Sequence, residues 1–344
     1  MINTTDAQPA VPETVSARRP PAVAAALGLF VLSPLIAEYL LGNVTIGALG
    51  YLLIFAPLYG AGALLVREIT RRTGRGWPTM ILLGLAYALV EEGLLTQTLF
   101  NPSYLGLDLL ATAHVNALGI GAWWTLFVLT LHTVWSTSVS IALVEALAVR
   151  HRTTPWLGWP GLAVTAVVYL LGAALIALGT YAEERFVAAP AQLLGVAVVV
   201  VAVIIAAFAV PQRRPVPHSR PVPSPWVVGA VAFVASSVFM GVSMVLPTRG
   251  SAADWLIVGL YAGLYAVVIA LVRRWSPAHD RDGWDDRHRL ALAGGALLTY
   301  VWYGWPARPA VGAMGQADLV GNAVFSLGAL VLLAVAAARV RGER

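Results

Sequence analysis

Residues 190–210 read PAQLLGVAVVVVAVIIAAFAV and contain no charged side chain. The hydrocarbon layer of a bilayer is about 30 Å thick, and about 20 apolar residues in an α-helix cross it. A helix in lipid also satisfies its backbone hydrogen bonds within its own segment. This stretch therefore predicts a transmembrane α-helix.

The same pattern recurs along the whole chain. Ten apolar segments are long enough to cross a bilayer, which predicts an all-α, polytopic transmembrane helix bundle. They run approximately over 22–42, 45–66, 77–100, 120–149, 158–182, 190–210, 225–247, 252–273, 288–305 and 318–338.

The composition supports a membrane protein and excludes several kinds of site. Of the 344 residues, 59% are hydrophobic and 11% are charged, and the mean hydropathy is +0.77. Soluble domains carry about 25% charged residues. The chain has no cysteine, which excludes disulfides, thiolate metal sites and cysteine nucleophiles.

The arginines predict the orientation of the spans, because cytoplasmic loops carry the excess of basic residues. All 22 basic residues are arginine, and with ten spans 19 of them fall on one side of the membrane. Only Arg185, Arg249 and Arg308 fall on the other side. This alternation predicts that both ends of the chain lie in the cytoplasm.

The basic residues also bear on partners and location. They stand in short blocks between apolar runs, which is typical of an oriented membrane protein and argues against nucleic-acid binding. The absence of lysine is typical of a GC-rich bacterial genome. We therefore predict a multi-pass protein of the bacterial inner (plasma) membrane, with the lipid bilayer as its partner.

The chain divides into three predicted regions. Residues 1–21, rich in Pro, Thr and Ala, predict a disordered cytoplasmic tail. Residues 22–338 form the predicted transmembrane helical domain, and residues 339–344 form a second cytoplasmic tail.

Ionisable side chains within the spans single out the first half of the chain. Each costs about 2.5–3.5 kcal/mol on insertion, so each needs a partner or a function. They are Glu38, Glu91, Glu92, His132 and Glu145.

Two of these residues have structural explanations as well as functional ones. Glu38 lies near the outer end of the first span, where hydration or pairing would explain it. Glu145 lies near the inner end of the fourth span, where it is expected either to extend towards the interface or to pair with Arg150 or Arg152. Glu68, beside Arg67, is expected to form ion pairs at the interface.

Glu91, Glu92 and His132 lie at similar predicted depths. At 1.5 Å per residue, the glutamates are about 12–14 Å below the outer boundary, and His132 is about 15–18 Å below it. Consecutive spans are usually neighbours, so a Glu/Glu/His cluster in the outer half is expected. Adjacent helical residues diverge by about 100°, so we expect one glutamate to face the site and the other to orient it, pair elsewhere or contact Thr96.

Two carboxyl groups and an imidazole in a low-dielectric pocket suit three kinds of chemistry: acid–base catalysis, proton relay and divalent-metal binding. The sequence leaves the metal and any cofactor open. The loop that follows the third span, from Gln97 to Asn116, has no arginine and is expected above the cluster. It is either a lid or an ordinary capping loop.

The stretch 90–104, VEEGLLTQTLFNPSY, followed by His132 and Glu145, resembles a group of uncharacterised bacterial and archaeal multi-span proteins. More distantly, it is similar to the CAAX-protease and bacteriocin-processing family of glutamic intramembrane proteases. That family carries a Glu-Glu-x-x-x-Arg motif and an F-x-x-x-H motif. Thr96 stands in the place of the arginine, and Phe127 is five residues before His132.

The resemblance implies a divergent or inactive intramembrane protease-like protein. Glu91 or Glu92 would then be the general base, and His132 a polar or oxyanion-stabilising partner. The same polar residues also suit a proton- or cation-coupled transporter, or a non-catalytic membrane scaffold.

Overall fold

The computed structural model describes residues 22–211, 222–245, 251–276 and 284–342. The predicted tail of residues 1–21 lies outside the described residues, as do residues 343 and 344 of the predicted C-terminal tail. The described residues form ten long helices and almost no strand, so the predicted all-α polytopic bundle is confirmed.

The long helices are α1 (Ala22–Leu40), α2 (Ile46–Arg72), α3 (Trp77–Leu95), α4 (Ala122–Leu147), α5 (Trp159–Glu184), α6 (Pro190–Ala209), α7 (Pro225–Val245), α8 (Asp254–Trp275), α9 (Asp286–Tyr303) and α10 (Gln316–Gly342). Nine of them are long and apolar enough to cross a membrane, whereas α9 carries charged residues in its first turn. The short elements are an antiparallel pair, β1 (His114–Val115) and β2 (Ile120–Gly121), and 3₁₀ turns at Tyr104–Gly106 and Val149–His151.

Proline and backbone conformation set several helix ends. Proline stands in the first turn of α3, α5 and α6. The N–H groups of a first turn have no acceptor within the helix, so the missing proline N–H costs no hydrogen bond there. Helix α3 ends at Leu95, earlier than the predicted 100, because Gln97 has a positive φ of 57° that an α-helix does not accommodate. Glu91 and Glu92 therefore lie in the last turn of α3, nearer its end than expected.

Helices α1 to α4 form the interior of the bundle. In the most apolar 18-residue stretch of each of these helices, between 50% and 67% of the residues are buried inside the protein. The corresponding share is 11% to 17% for α5 to α8. The outer helices expose large apolar side chains such as Leu178 and Leu194. A bilayer accepts such surfaces, so a polar site is expected within the first four helices.

Each of the first four helices contains a π-helical turn. These turns are Leu35–Leu40 in α1, Ala56–Gly60 in α2, Glu91–Leu95 in α3 and Leu131–Val139 in α4. Pro34 precedes the first turn and Pro57 lies within the second, where the missing proline N–H disturbs the α-helical bonding. π-turns are rare in proteins overall, but those that occur are often found at functional sites. The part of the bundle that contains these four turns is therefore a candidate site.

Helix α9 packs against α4, one of the four interior helices. The Trp135 ring of α4 stacks on Tyr300 of α9 with 4.6 Å between ring centroids. The Trp135 indole N–H also donates to the backbone carbonyl of Ala296 at 2.8 Å. These contacts hold α4, and with it the π-turn that carries His132, against α9.

A buried ion network lies at the arginine-rich end of the bundle, which carries Arg67, Arg71, Arg72 and Arg75. Arg67 is fully buried and contacts Glu68 at 2.6 Å and Glu145 at 3.1 Å. Arg71 contacts Glu145 at 2.6 Å.

Glu145 therefore pairs with two arginines of α2, and the predicted pairing with Arg152 is wrong. Val149–His151 forms a 3₁₀ turn after α4, and Arg152 contacts Asp286 at 2.8 Å instead. Glu68, expected at the interface, is fully buried.

Arg67 also binds the segment between α4 and α5. Its Nη2 group donates to the backbone carbonyls of His151, Arg152 and Thr154 at 2.9 to 3.1 Å. The guanidinium carbon lies 3.4 Å from the ring centroid of Trp156. One buried side chain thus joins α2, α4 and the segment that leads to α5.

Candidate functional site

The structure brings Glu91, Glu92 and His132 together in the layer of π-turns. His132 Nδ1 lies 3.2 Å from Glu91 Oε2, and His132 Nε2 lies 2.8 Å from Glu92 Oε1. The three residues are buried, with exposed fractions of 2%, 5% and 7%. We call them the Glu/His cluster.

Both glutamates contact His132, which corrects the expectation that only one would face the site. The imidazole has a nitrogen on each side of its ring, so two carboxylates that diverge along α3 each reach a different nitrogen. The two glutamates therefore act on one ring from two directions.

Hydroxyl groups hold Glu92 in place. The Thr98 hydroxyl forms a short hydrogen bond to Glu92 Oε2. The Thr96 hydroxyl lies 3.4 Å from the same oxygen and 3.0 Å from the backbone carbonyl of Glu91, its nearer acceptor. The Trp124 indole N–H donates to the Thr98 hydroxyl at 3.1 Å. Because Glu92 Oε1 faces His132 Nε2, both oxygens of Glu92 have partners.

Glu91 differs from Glu92 in this respect. No hydrogen bond of ordinary geometry reaches Glu91 Oε2 from the described part of the chain. The Tyr87 hydroxyl is buried close to the Glu91 carboxylate. A buried polar atom without a partner is costly, so Glu91 Oε2, with the Tyr87 hydroxyl beside it, is the reactive or ligand-binding candidate of the site.

Tyr59 joins Glu38 to the Glu/His cluster. The Tyr59 hydroxyl donates to Glu38 Oε1 at 2.5 Å, and the Asn43 side chain donates to Glu38 Oε2 at 2.6 Å. The Tyr59 ring stacks on the His132 ring with 5.7 Å between centroids. Glu38 is 6% exposed, so pairing, rather than hydration, explains its place in the span.

Sequence reasoning missed Tyr59, Tyr87 and Thr98. Tyr87 precedes Glu91 by one helical turn, and a tyrosine hydroxyl within an apolar span usually forms a hydrogen bond. These two observations could have predicted that Tyr87 lies beside Glu91. Thr98 lies in the covering loop, residues 96–121, and no periodic pattern would point it at Glu92.

The cluster holds more acidic groups than basic ones. Glu91 and Glu92 contact a single imidazole, Glu38 is joined to it through Tyr59, and among the described residues no arginine forms an ion pair with these three carboxylates. Burying three carboxyl groups beside one imidazole is unfavourable when all three are ionised. The site therefore suits groups that neutralise carboxylates, namely protons or a cation.

The covering loop is tied to neighbouring helices. The Gln97 side chain accepts from the Ala188 N–H at 2.7 Å, and the Asn101 side chain donates to Glu184 at 3.2 Å. The Ala113 N–H donates to Asp254 at 3.3 Å. These contacts hold the loop over the helix ends that carry the site; its role as a lid or a simple cap remains a prediction.

Comparison with known proteins identifies a family. Residues 27–307 match the model of a family described as "Uncharacterized membrane protein family". The matched segment includes all four π-turns and the Glu/His cluster. No curated protein and no solved structure matches the chain. The chain belongs to this uncharacterized membrane protein family.

Proposed function

We propose that this protein is a hydrolase of the bacterial plasma membrane, protease-like in type, with Glu91 as its general base. The observation that carries the proposal is Glu91 Oε2, a buried carboxylate oxygen with no hydrogen bond of ordinary geometry from the described residues, 3.2 Å from His132 Nδ1. An acceptor of this kind is suited to take a proton from water.

The other residues have supporting roles in this proposal. Glu92, held by Thr96 and Thr98, positions the imidazole through Nε2. The Tyr87 hydroxyl supplies a donor for the negative oxygen of a tetrahedral intermediate, and His132, whose two nitrogens face Glu91 and Glu92, holds the two carboxylates in place.

The proposed reaction begins when a water molecule loses a proton to Glu91 while its oxygen bonds to the carbonyl carbon of a peptide in the membrane. The carbonyl π electrons move to the oxygen. The carbonyl then re-forms from the electrons on the negative oxygen as the carbon–nitrogen bond breaks, and the amine takes the proton from Glu91, which returns the carboxylate to its starting state. The arginine pattern supports a site in the outer half of the membrane, with both chain ends in the cytoplasm.

We expect Glu91→Gln to lower peptide cleavage at least about 100-fold, which is the lower range for a lost general base. The measurement compares new peptide termini, by mass spectrometry, in membranes from cells that express wild type or variant at equal levels. Cleavage of a responsive peptide is then timed with purified protein in lipid nanodiscs.

The matched control is Glu183→Gln, which makes the same chemical change at an exposed carboxylate at the end of α5. It should cleave at the wild-type rate. Termini that are identical in wild type and Glu91→Gln membranes would overturn the hydrolase proposal and favour a non-catalytic scaffold.

A second candidate function, proton- or cation-coupled transport, is favoured by the excess of carboxyl groups at Glu38, Glu91 and Glu92. Buried carboxylates that exchange protons or cations are typical of such proteins. In proteoliposomes with an imposed pH gradient, wild type would then dissipate the gradient and Glu38→Gln would do so more slowly. A gradient as stable with wild type as with empty liposomes would exclude proton transport.

A further inference from the structure

We infer that His132 and Glu91 bind a divalent transition-metal cation such as Zn²⁺, with Glu92 as the outer carboxylate that orients the imidazole. The inference rests on the proposed function, because such an ion would hold the water molecule of the same hydrolysis while the second oxygen of the Glu91 carboxylate would take its proton. Imidazole and carboxylate are ligands that these ions accept.

The first support is the distance between the two ligand atoms. His132 Nδ1 and Glu91 Oε2 lie 3.2 Å apart. Two ligands of a tetrahedral zinc ion, each about 2.1 Å from the metal, are about 3.4 Å apart. Ligand atoms of Glu91, Glu92 and His132 all lie within 4.8 Å of one another. The pair therefore needs little movement to share an ion.

The second support is the arrangement on the other side of the ring. Histidines that bind metals usually donate their second N–H to a carboxylate, which fixes the tautomer. Glu92 Oε1 lies 2.8 Å from Nε2, and its other oxygen is occupied by the hydroxyls of Thr96 and Thr98. Glu92 thus has the position of an orienting carboxylate, and Nδ1 is left for the ion.

The third support is the hydroxyl of Tyr87. It is buried close to the Glu91 carboxylate. It offers a further oxygen to an ion or to a water molecule bound to it. Ser136 Oγ lies 3.2 Å from Nδ1, and rotation about one side-chain bond would free that nitrogen.

A cation also answers the charge imbalance of the site. Beside a neutral His132 that binds it through Nδ1, a divalent ion would offset two of the three negative charges of ionised Glu38, Glu91 and Glu92. Transition-metal ions are favoured over Mg²⁺, because Mg²⁺ prefers oxygen ligands and keeps several water molecules.

The test measures Zn²⁺ binding alone, without substrate. Chelator-stripped protein in nanodiscs is titrated with Zn²⁺ against a fluorescent competitor, and the bound metal is counted by mass spectrometry. Wild type should bind about one ion per chain. His132→Ala and Glu91→Gln should weaken binding more than about 100-fold, and Glu92→Gln about 10–100-fold.

Control variants guard against surface binding and misfolding. His114→Ala removes an exposed histidine and Glu183→Gln an exposed carboxylate, and both should bind as wild type does. His132→Asn tests the same ligand with a side chain of similar size, and thermal unfolding of each variant identifies any that does not fold. Wild type without a stoichiometric ion, or Glu91→Gln with unchanged affinity, would overturn the metal site.

The two proposals fail in different ways. If stripped wild type cleaves peptide as fast as protein loaded with Zn²⁺ and no ion binds, the metal site is wrong and the hydrolase stands. If the ion binds through His132 and Glu91 but no termini depend on Glu91, the hydrolase is wrong and the metal site stands.

Discussion

Replacing Arg67 with methionine is expected to lower the free energy of unfolding by about 3–5 kcal/mol, the cost of breaking a buried ion pair from one side. Arg67 is fully buried and contacts both Glu68 and Glu145. Methionine keeps an unbranched stem to pack on Trp156 but leaves two buried carboxylates with less neutralising charge. The loss of charge should therefore outweigh the retained packing.

The same change removes the donors to the segment between α4 and α5. Carbonyls of His151, Arg152 and Thr154 would each lose a hydrogen bond from the guanidinium. Leaving buried acceptors without a partner adds to the cost. The segment should become accessible to protease in Arg67→Met while wild type resists under the same conditions.

Equilibrium unfolding in mixed detergent micelles, followed by circular dichroism, measures the effect of Arg67→Met. Arg339→Gln, an exposed arginine of α10, is the control and should change stability by less than about 0.5 kcal/mol. Adding Glu68→Gln to Arg67→Met should restore part of the loss, because one unpaired charge is removed. An Arg67→Met protein as stable as the control would contradict the role given to this network.

Gly60→Ala is expected to destabilise the protein by at least about 2 kcal/mol and to disturb the site. A β-carbon at Gly60 would overlap the backbone carbonyl of Phe30, where α1 and α2 cross. Alanine favours helix over glycine by about 1 kcal/mol, but that gain is smaller than the cost of separating two backbones. Because the two helices would separate, Tyr59, which directly precedes Gly60, would move away from Glu38.

Gly50→Ala is the matched control, since it lies in the same helix and nothing lies within 4 Å of its added β-carbon. It should leave stability unchanged or raise it slightly. Unfolding of the two variants is compared in the same micelles, and Zn²⁺ titration reports on the site. Equal stability of Gly60→Ala and Gly50→Ala would show that α1 and α2 do not approach so closely.

The membrane bundle was predictable because each span is a long apolar run, a signal that needs no knowledge of neighbours. The Glu/His cluster was predictable in part, since charges within apolar spans and matched depths brought Glu91, Glu92 and His132 together. The dual contact with His132 was not predictable from a regular helix, because it depends on where each carboxylate and ring turns after packing.

Other features depend on contacts that a single sequence does not display. Pro34 and Pro57 hint at irregular turns in α1 and α2, but no proline marks the π-turns of α3 and α4. The early end of α3 depends on the conformation of Gln97. The partners of Glu145 come from α2, far away in the chain, and no spacing rule identifies them.

The π-turns have a consequence for the history of the gene. A π-turn closes its hydrogen bond one residue later than an α-turn, so it is equivalent to one inserted residue in an otherwise α-helical span. Loss of a single codon from such a turn would restore the α-helix, leave the rest of the span in nearly the same orientation and redirect the side chains within the turn. In alignments of this family, gaps of one residue inside these spans would therefore separate proteins that keep the site from proteins that have lost it, even where every glutamate and histidine is retained.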